Sequence, residues 1–219
     1  MLKGIVFDMD WVLVNSSWSN WKSFVKVFEQ YGVDIQQSDK KKYLWRSLAD
    51  QLKMRKEEYN IKEDISVEEF SKQALAYQLE LMKEDLKPDP FVQKLIKEAK
   101  NKWIKIAVAT SSSKKRAILM LELVGVYQTL DAFVTCEDVE KSKPSPDIFL
   151  KAAELLDIEP KNCIVIEDAL NGIEAAKSAW MKSAGKIWKH HTREEFSIAE
   201  MAFENFSEIE LQDLEKVFE

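Results

Sequence analysis

Histidine and cysteine are nearly missing, with two of each in 219 residues and the histidines adjacent at positions 190 and 191. Cys136 and Cys163 form no CxxC pair, so a zinc site and a disulfide framework are both poorly supported. Reduced thiols fit a cytoplasmic chain. Net positive charge is absent as well: Lys+Arg 32 against Asp+Glu 38 gives −6, which argues against a nucleic-acid partner. Long apolar runs are missing, and a membrane span would need about 20 such residues. The chain passes from Met1-Leu2-Lys3 straight into a strand-like run, so no signal peptide is expected. Glycine is scarce, at five residues, whereas tryptophan reaches seven. What is present is a globular composition, 46% hydrophobic, in a length that suits one large domain or one domain carrying an insertion.

The pattern begins with a short apolar run at 4–7, which ends in Asp8-Met9-Asp10. It predicts a buried strand with carboxylates at its C-terminal end. Trp21, Phe24, Val25, Phe28 and Tyr31 then follow helical spacing up to Gly32. Residues 38–54 are helical in pattern, and Ser66-x-x-Glu69 is a capping box opening a helix to about Met82. From Asp89-Pro90, a helix start, helices and strands alternate. Strands are expected at 104–110, 132–135, 163–167, about 183–187 and 201–203, with helices at 90–99, 114–124, 146–155 and 170–179 and a last one from about Ser207. Such alternation predicts an α/β fold, a Rossmann-like doubly wound parallel sheet. The domains expected are a core of 1–14 and 87–219 and an inserted, all-helical domain of 15–86.

Ligands of open parallel sheets bind beyond the C-terminal strand ends. Those ends carry Asp8 and Asp10, then Thr110-Ser111-Ser112, then Lys143 in Ser142-Lys143-Pro144, then Glu167-Asp168. Clustered carboxylates repel unless a cation sits among them, and hard oxygen donors suit Mg²⁺. Hydroxyls and a lysine suit the oxygens of a phosphoryl group. One carboxylate can act as nucleophile and a second as general acid/base. Singly, each part has a plainer reading, as a turn, a helix cap or a surface lysine. Together and in this order they point to one rim.

These residues resemble the four motifs of the haloacid dehalogenase superfamily. Phe7-Asp8-Met9-Asp10 is similar to the first and Ala109-Thr110-Ser111-Ser112 to the second. Ser142-Lys143-Pro144-Ser145-Pro146-Asp147 is similar to the third, and Ile166-Glu167-Asp168 with Asn171-Gly172 to the fourth. The resemblance implies Asp8 as nucleophile and Mg²⁺ ligand. It implies Asp10 as general acid/base, with its backbone carbonyl also on the metal. Thr110, Ser111 and Lys143 would bind phosphate, and Glu167 and Asp168 would complete the metal site. The helical insertion would be the cap that closes over substrate. Asp10 favours phosphate-ester chemistry over dehalogenation, because an alkoxide leaving group needs a proton and a halide does not.

Within the superfamily the chain resembles the β-phosphoglucomutase and sugar-phosphatase branch. The mutase has a cap histidine where this chain has Asn20, and a cap arginine aligned with Leu48, two residues from Arg46. Those departures favour hydrolysis of a small phosphorylated metabolite, with phosphosugar mutation as the alternative and a monomer as the expected state. Tryptophan stands at positions 11, 45, 103 and 180, where the family has glycine. Local packing as core is the simpler reading for these. At Trp11 an indole is expected to crowd the phosphate or the metal loop, which makes a catalytically impaired member a further alternative.

Overall fold

The computed structural model describes residues 1–15, 17–36, 48–61, 66–188 and 191–219. The chain divides into two compact units, Met1–Asn15 with Leu86–Glu219, and Ser16–Asp85.

In chain order the main elements are β1 Gly4–Phe7, α1 Ser17–Glu29, α2 Leu48–Glu58, α3 Val67–Asp85, α4 Pro90–Asn101, β2 Lys105–Ala109 and α5 Lys114–Leu123. Then follow β3 Ala132–Val134, α6 Asp147–Leu156, β4 Cys163–Glu167, α7 Leu170–Ser178, β5 Lys182–Lys186, β6 Met201–Phe203 and α8 Leu211–Lys216. The first unit holds a six-stranded parallel sheet of order β3-β2-β1-β4-β5-β6. Strand β1 lies between β2 and β4, where the winding reverses, and a crevice opens beyond the strand ends at such a point. Gly4–Phe7 and Cys163–Glu167 are buried throughout, as unbroken apolar runs in a sheet covered on both faces require. One face packs α6 and α7 through Phe149, Ala152, Ala153, Leu156, Ala175 and Ala176 against Val6, Ala107 and Val165.

Helix α4 begins as its sequence indicates, with Pro90 behind Asp89, whose carboxylate accepts from the backbone N–H of Phe91 at 2.8 Å. The last helix begins later than expected. Ser207 falls in a 3₁₀ turn, Phe206–Glu208, which Asn205 and Glu208 cap reciprocally, and α8 starts only after Glu210.

The second unit is helical among its described residues. Val27, Phe28, Leu52, Phe70 and Ala74 form its core, joined by Val33 and Ile35 of the segment that follows α1. Arg55 is fully buried there, its guanidinium 5.2 Å from the Phe28 ring centre and 5.4 Å from that of Phe24. The helix expected over 38–54 is described only from Leu48 and runs on to Glu58; its earlier part lies outside the described residues.

Three tryptophans hold left-handed backbone: Trp11 at φ 64°, Trp103 at 63° and Trp180 at 61°. Trp103 and Trp180 each close a helix C-terminus. The Trp103 N–H donates to Lys100 O and the next N–H to Ala99 O; the Trp180 N–H donates to Lys177 O and the next to Ala176 O. Gly32 and Gly125 close α1 and α5 by the same pair of bonds, at φ 70° and 68°. Core packing is not what holds these two indoles. Trp103 is 92% exposed and Trp180 83% exposed, because a left-handed residue just past a helix end points its side chain outward while the following Ile104 and Met181 turn in. Trp45 lies outside the described residues.

Candidate active site

Parallel register sets the centre of the site. Phe7 pairs with Val108 on one side and Ile166 on the other, so the next residues, Asp8, Ala109 and Glu167, come level at the rim. The Asp8 N–H still donates to Ile166 O at 2.9 Å, which fixes Asp8 to the sheet. A cavity of about 250 Å³ opens here, lined by Asp8, Asp10, Trp11, Thr110, Ser111 and Lys143, and by Glu167, Asp168, Ala169 and Asn171 across the rim.

Lys143 enters from the loop before α6. Its ammonium donates to Asp8 Oδ1 at 2.6 Å and to Glu167 Oε2 at 3.1 Å, and lies 4.9 Å from the Phe149 ring centre. Burial works to lower the Lys143 pKa, but the Asp8 and Glu167 carboxylates outweigh it and hold the ammonium charged well above its ordinary range. The acids are strained in the opposite sense. Burial raises Asp8 despite the pull of Lys143. Burial, then the neighbouring Asp8 charge, raises Glu167 well above its ordinary value and pushes Asp168 up to about 7. Asp8, Glu167 and Asp168 each offer a carboxylate oxygen, all within 4.8 Å of one another. Three hard oxygen donors at that spacing, each penalised for carrying its charge, fit a small divalent cation.

Room for Glu167 depends on Gly172 in α7. A Cβ on that residue would stand 2.2 Å from Glu167 Cδ. Thr110 is buried, and its Oγ1 accepts from the Ser112 N–H at 3.1 Å. Ser111 follows it at the cavity wall.

Asp10 is drawn to different partners from those of Asp8. Arg116 grips it by both oxygens, Nη2 to Oδ1 at 2.6 Å and Nη1 to Oδ2 at 2.7 Å, and Ser112 Oγ donates to Oδ2 at 2.9 Å. Arg116, which the sequence reading did not single out, joins the site through Asp10. A signal was present: α5 opens on Lys114, Lys115 and Arg116 with no acid in its first turn, the wrong sign for a helix N-terminus unless anions face it. Asp10 faces Arg116, and Glu137 Oε1 accepts from the Lys114 N–H at 2.9 Å.

The segment after Asp8 folds back on itself. Leu13 and Val14 N–H groups both donate to Met9 O at 2.9 Å, and the Trp11 N–H donates to Val14 O at 2.8 Å. Trp11 sits at the tip of this loop with positive φ. Its ring lies 4.3 Å from that of Trp188, centre to centre, and the Lys186 ammonium donates to its carbonyl. Trp11 is among the residues that line the cavity, and its ring packs against that of Trp188.

Of the residues expected at the site, Asp8, Asp10, Thr110, Ser111, Lys143, Glu167 and Asp168 line one cavity. Asn20 lies on α1 of the helical unit, and Arg46 falls outside the described residues. No helix among the described residues is long and apolar enough to cross a membrane.

Comparison with known proteins gives the same direction. The model of the haloacid dehalogenase-like hydrolases matches residues 5–186. A phosphorylated carbohydrates phosphatase of Thermotoga maritima is 30% identical over 178 residues, 81% of this chain and 82% of that one. A β-phosphoglucomutase of Bacillus subtilis is 32% identical over 191 residues, 84% of this chain and 83% of its own. The crystal structure of a candidate β-phosphoglucomutase from Thermotoga maritima superposes with a TM-score of 0.86 at 27% identity, covering 99% of this chain and 100% of that one.

Proposed function

The chain belongs to the haloacid dehalogenase-like hydrolases, and from that premise we propose that it is a Mg²⁺-dependent phosphatase of small phosphate esters, sugar phosphates foremost. The observation that carries this is Asp8, an acid at the end of β1, paired with a buried ammonium and set in one cluster with Glu167 and Asp168. Similarity to a carbohydrate phosphatase and to a sugar-phosphate mutase supports the substrate class.

In this reading Asp8 is the nucleophile. One of its oxygens attacks phosphorus and the ester oxygen leaves, taking a proton from Asp10, so that an aspartyl-phosphate forms on Asp8. Water then attacks that phosphorus and gives its proton to Asp10, which frees Asp8 and releases phosphate. Lys143, Thr110 and Ser111 supply donors to the phosphoryl oxygens. The residues that would hold the cation are Asp8, Asp168 and the Asp10 carbonyl, with Glu167 beside them. When bound, Mg²⁺ offsets the charge shared by nucleophile and phosphate.

Mutation of a phosphosugar is the second reading, because the β-phosphoglucomutase relative is as similar as the phosphatase. Asn20 and Leu48, in place of the mutase's cap histidine and arginine, favour hydrolysis. A panel of sugar phosphates with Mg²⁺ tests both, scored for free phosphate and for the isomeric sugar phosphate. Phosphate release that Mg²⁺ supports and chelation abolishes is the expected result. Isomer without phosphate release overturns hydrolysis, and neither product on any ester overturns the enzyme reading.

A further inference from the structure

The reading of Asp10 as the acid/base leaves open what aims it. The Met9–Val14 loop fixes its backbone, and the plane of its carboxyl group is set by side-chain partners. Two parallel N–H···O bonds from one guanidinium set both the direction and the plane of a carboxylate, which no single donor does. Arg116 makes that pair with Asp10 at 2.6 and 2.7 Å, and Ser112, in the loop just before the helix, bonds both partners. The Asp10 side chain keeps partial access to solvent at 29%, while that of Arg116 is more enclosed at 17%. Asp10 lines the cavity, and Arg116 stands behind it, bonded to Asp10 and Ser112.

The helix itself gives Arg116 no reason to be there. A cation in the first turn opposes the helix dipole, and alanine would be the better helix former. On the basis of the phosphatase reading above, we propose that Arg116 is a positioning residue for Asp10, whose two-pronged grip sets the orientation from which Asp10 passes its proton to the leaving oxygen. The step balances as before: the P–O bond to the leaving group breaks, its electron pair stays on that oxygen, and the proton comes from the Asp10 carboxyl, which carries it on a lone pair other than the two that accept from Arg116. Arg116 neither gains nor loses a proton.

Leaving groups discriminate this role from a structural one. An alkyl phosphate releases a strongly basic oxygen and depends on the proton, whereas p-nitrophenolate leaves without one. Because kcat/KM reports steps only through the first irreversible one, it isolates transfer to Asp8 from later hydrolysis. Arg116→Ala should lower kcat/KM for an alkyl sugar phosphate by about 10-fold or more, yet for p-nitrophenyl phosphate by no more than about 3-fold. Arg116→Lys keeps the charge without the fork and should recover only a minor part of the loss. Equal losses on both substrates, or full recovery by lysine, overturn the proposal. A crystal structure of Arg116→Ala is the readout that does not need turnover. Asp10 should leave its present orientation there, and an unmoved carboxylate overturns the proposal. Failure of the phosphatase reading shows separately, as absence of turnover by the unaltered chain, and the position of Asp10 in that variant still decides the role of Arg116.

Discussion

At the scale of single residues, the site rests on a few side chains whose removal has distinct consequences. Asp8→Asn keeps the shape and removes the nucleophile; turnover should disappear while the circular dichroism spectrum and thermal midpoint stay near those of the parent. Near-normal hydrolysis by that variant would sink the assignment. Gly172→Ala tests the opposite case, a change outside the chemistry. Its methyl carbon would meet Glu167 at 2.2 Å, so Glu167 and its bond to Lys143 must shift. Overpacking of this kind costs about 1–3 kcal/mol, and a displacement of ~1 Å at a reacting group can cost ~10²-fold in rate. Steady-state kinetics and denaturant melts on the same sample check both. Trp11 is the third case. It lines the same cavity as Asp8, on backbone that glycine adopts without penalty. Trp11→Gly should raise kcat/KM on a generic phosphate ester by at least about 10-fold, with kcat sharing in the gain. Equal values for the two proteins would show the indole to stand clear of the substrate.

At the scale of elements, helix ends tell most. Two exposed indoles occupy the left-handed position that Gly32 and Gly125 fill elsewhere. A side chain there costs about 1–2 kcal/mol, and neither indole is buried enough to repay it. Trp103→Gly and Trp180→Gly should each stabilise the chain by about 1 kcal/mol once the greater unfolded freedom of glycine is subtracted. Urea midpoints measure this, and a lower midpoint in both variants would overturn it. Elements of this kind were legible in the sequence where one signal dominated. Cys163–Glu167 and Met201–Phe203 read to the residue, because each is a short run of strand-forming or apolar residues bounded by turn residues. The start of α8 did not, since Asn205–Glu208 and Glu210–Asp213 are two capping boxes in succession and the pattern does not say which opens an α-helix. Asp8, Lys143 and Glu167 could be gathered from their order at strand ends. The grip of Arg116 on Asp10 spans 106 residues and depends on side-chain direction, which no spacing encodes.

At the scale of the whole molecule, the three acids make their own contribution to how stability responds to pH. Burial raises Asp8 and Glu167 and pushes Asp168 up to about 7, whereas the unfolded chain ionises such groups near 4. Between about pH 4 and pH 7 these three groups therefore bind more protons in the folded form, so the stability they contribute falls as pH rises through that window and is complete only below it. The charged state of Lys143, favoured by folding, changes nothing until far higher pH. A cation held by the ionised cluster should reverse the loss, so Mg²⁺ should raise the melting temperature more at about pH 8 than at about pH 5. Equal shifts at the two values would remove the cluster as the ion's place. The Trp11–Trp188 contact has an optical consequence as well. Two indoles 4.3 Å apart couple their transitions, whereas Trp103 and Trp180, being bare, emit as in water and are reached by iodide. With those two replaced by glycine five tryptophans remain, and the difference between that protein and its Trp188→Phe derivative isolates the near-ultraviolet dichroism of the coupled pair, a label-free reporter on a residue of the cavity wall.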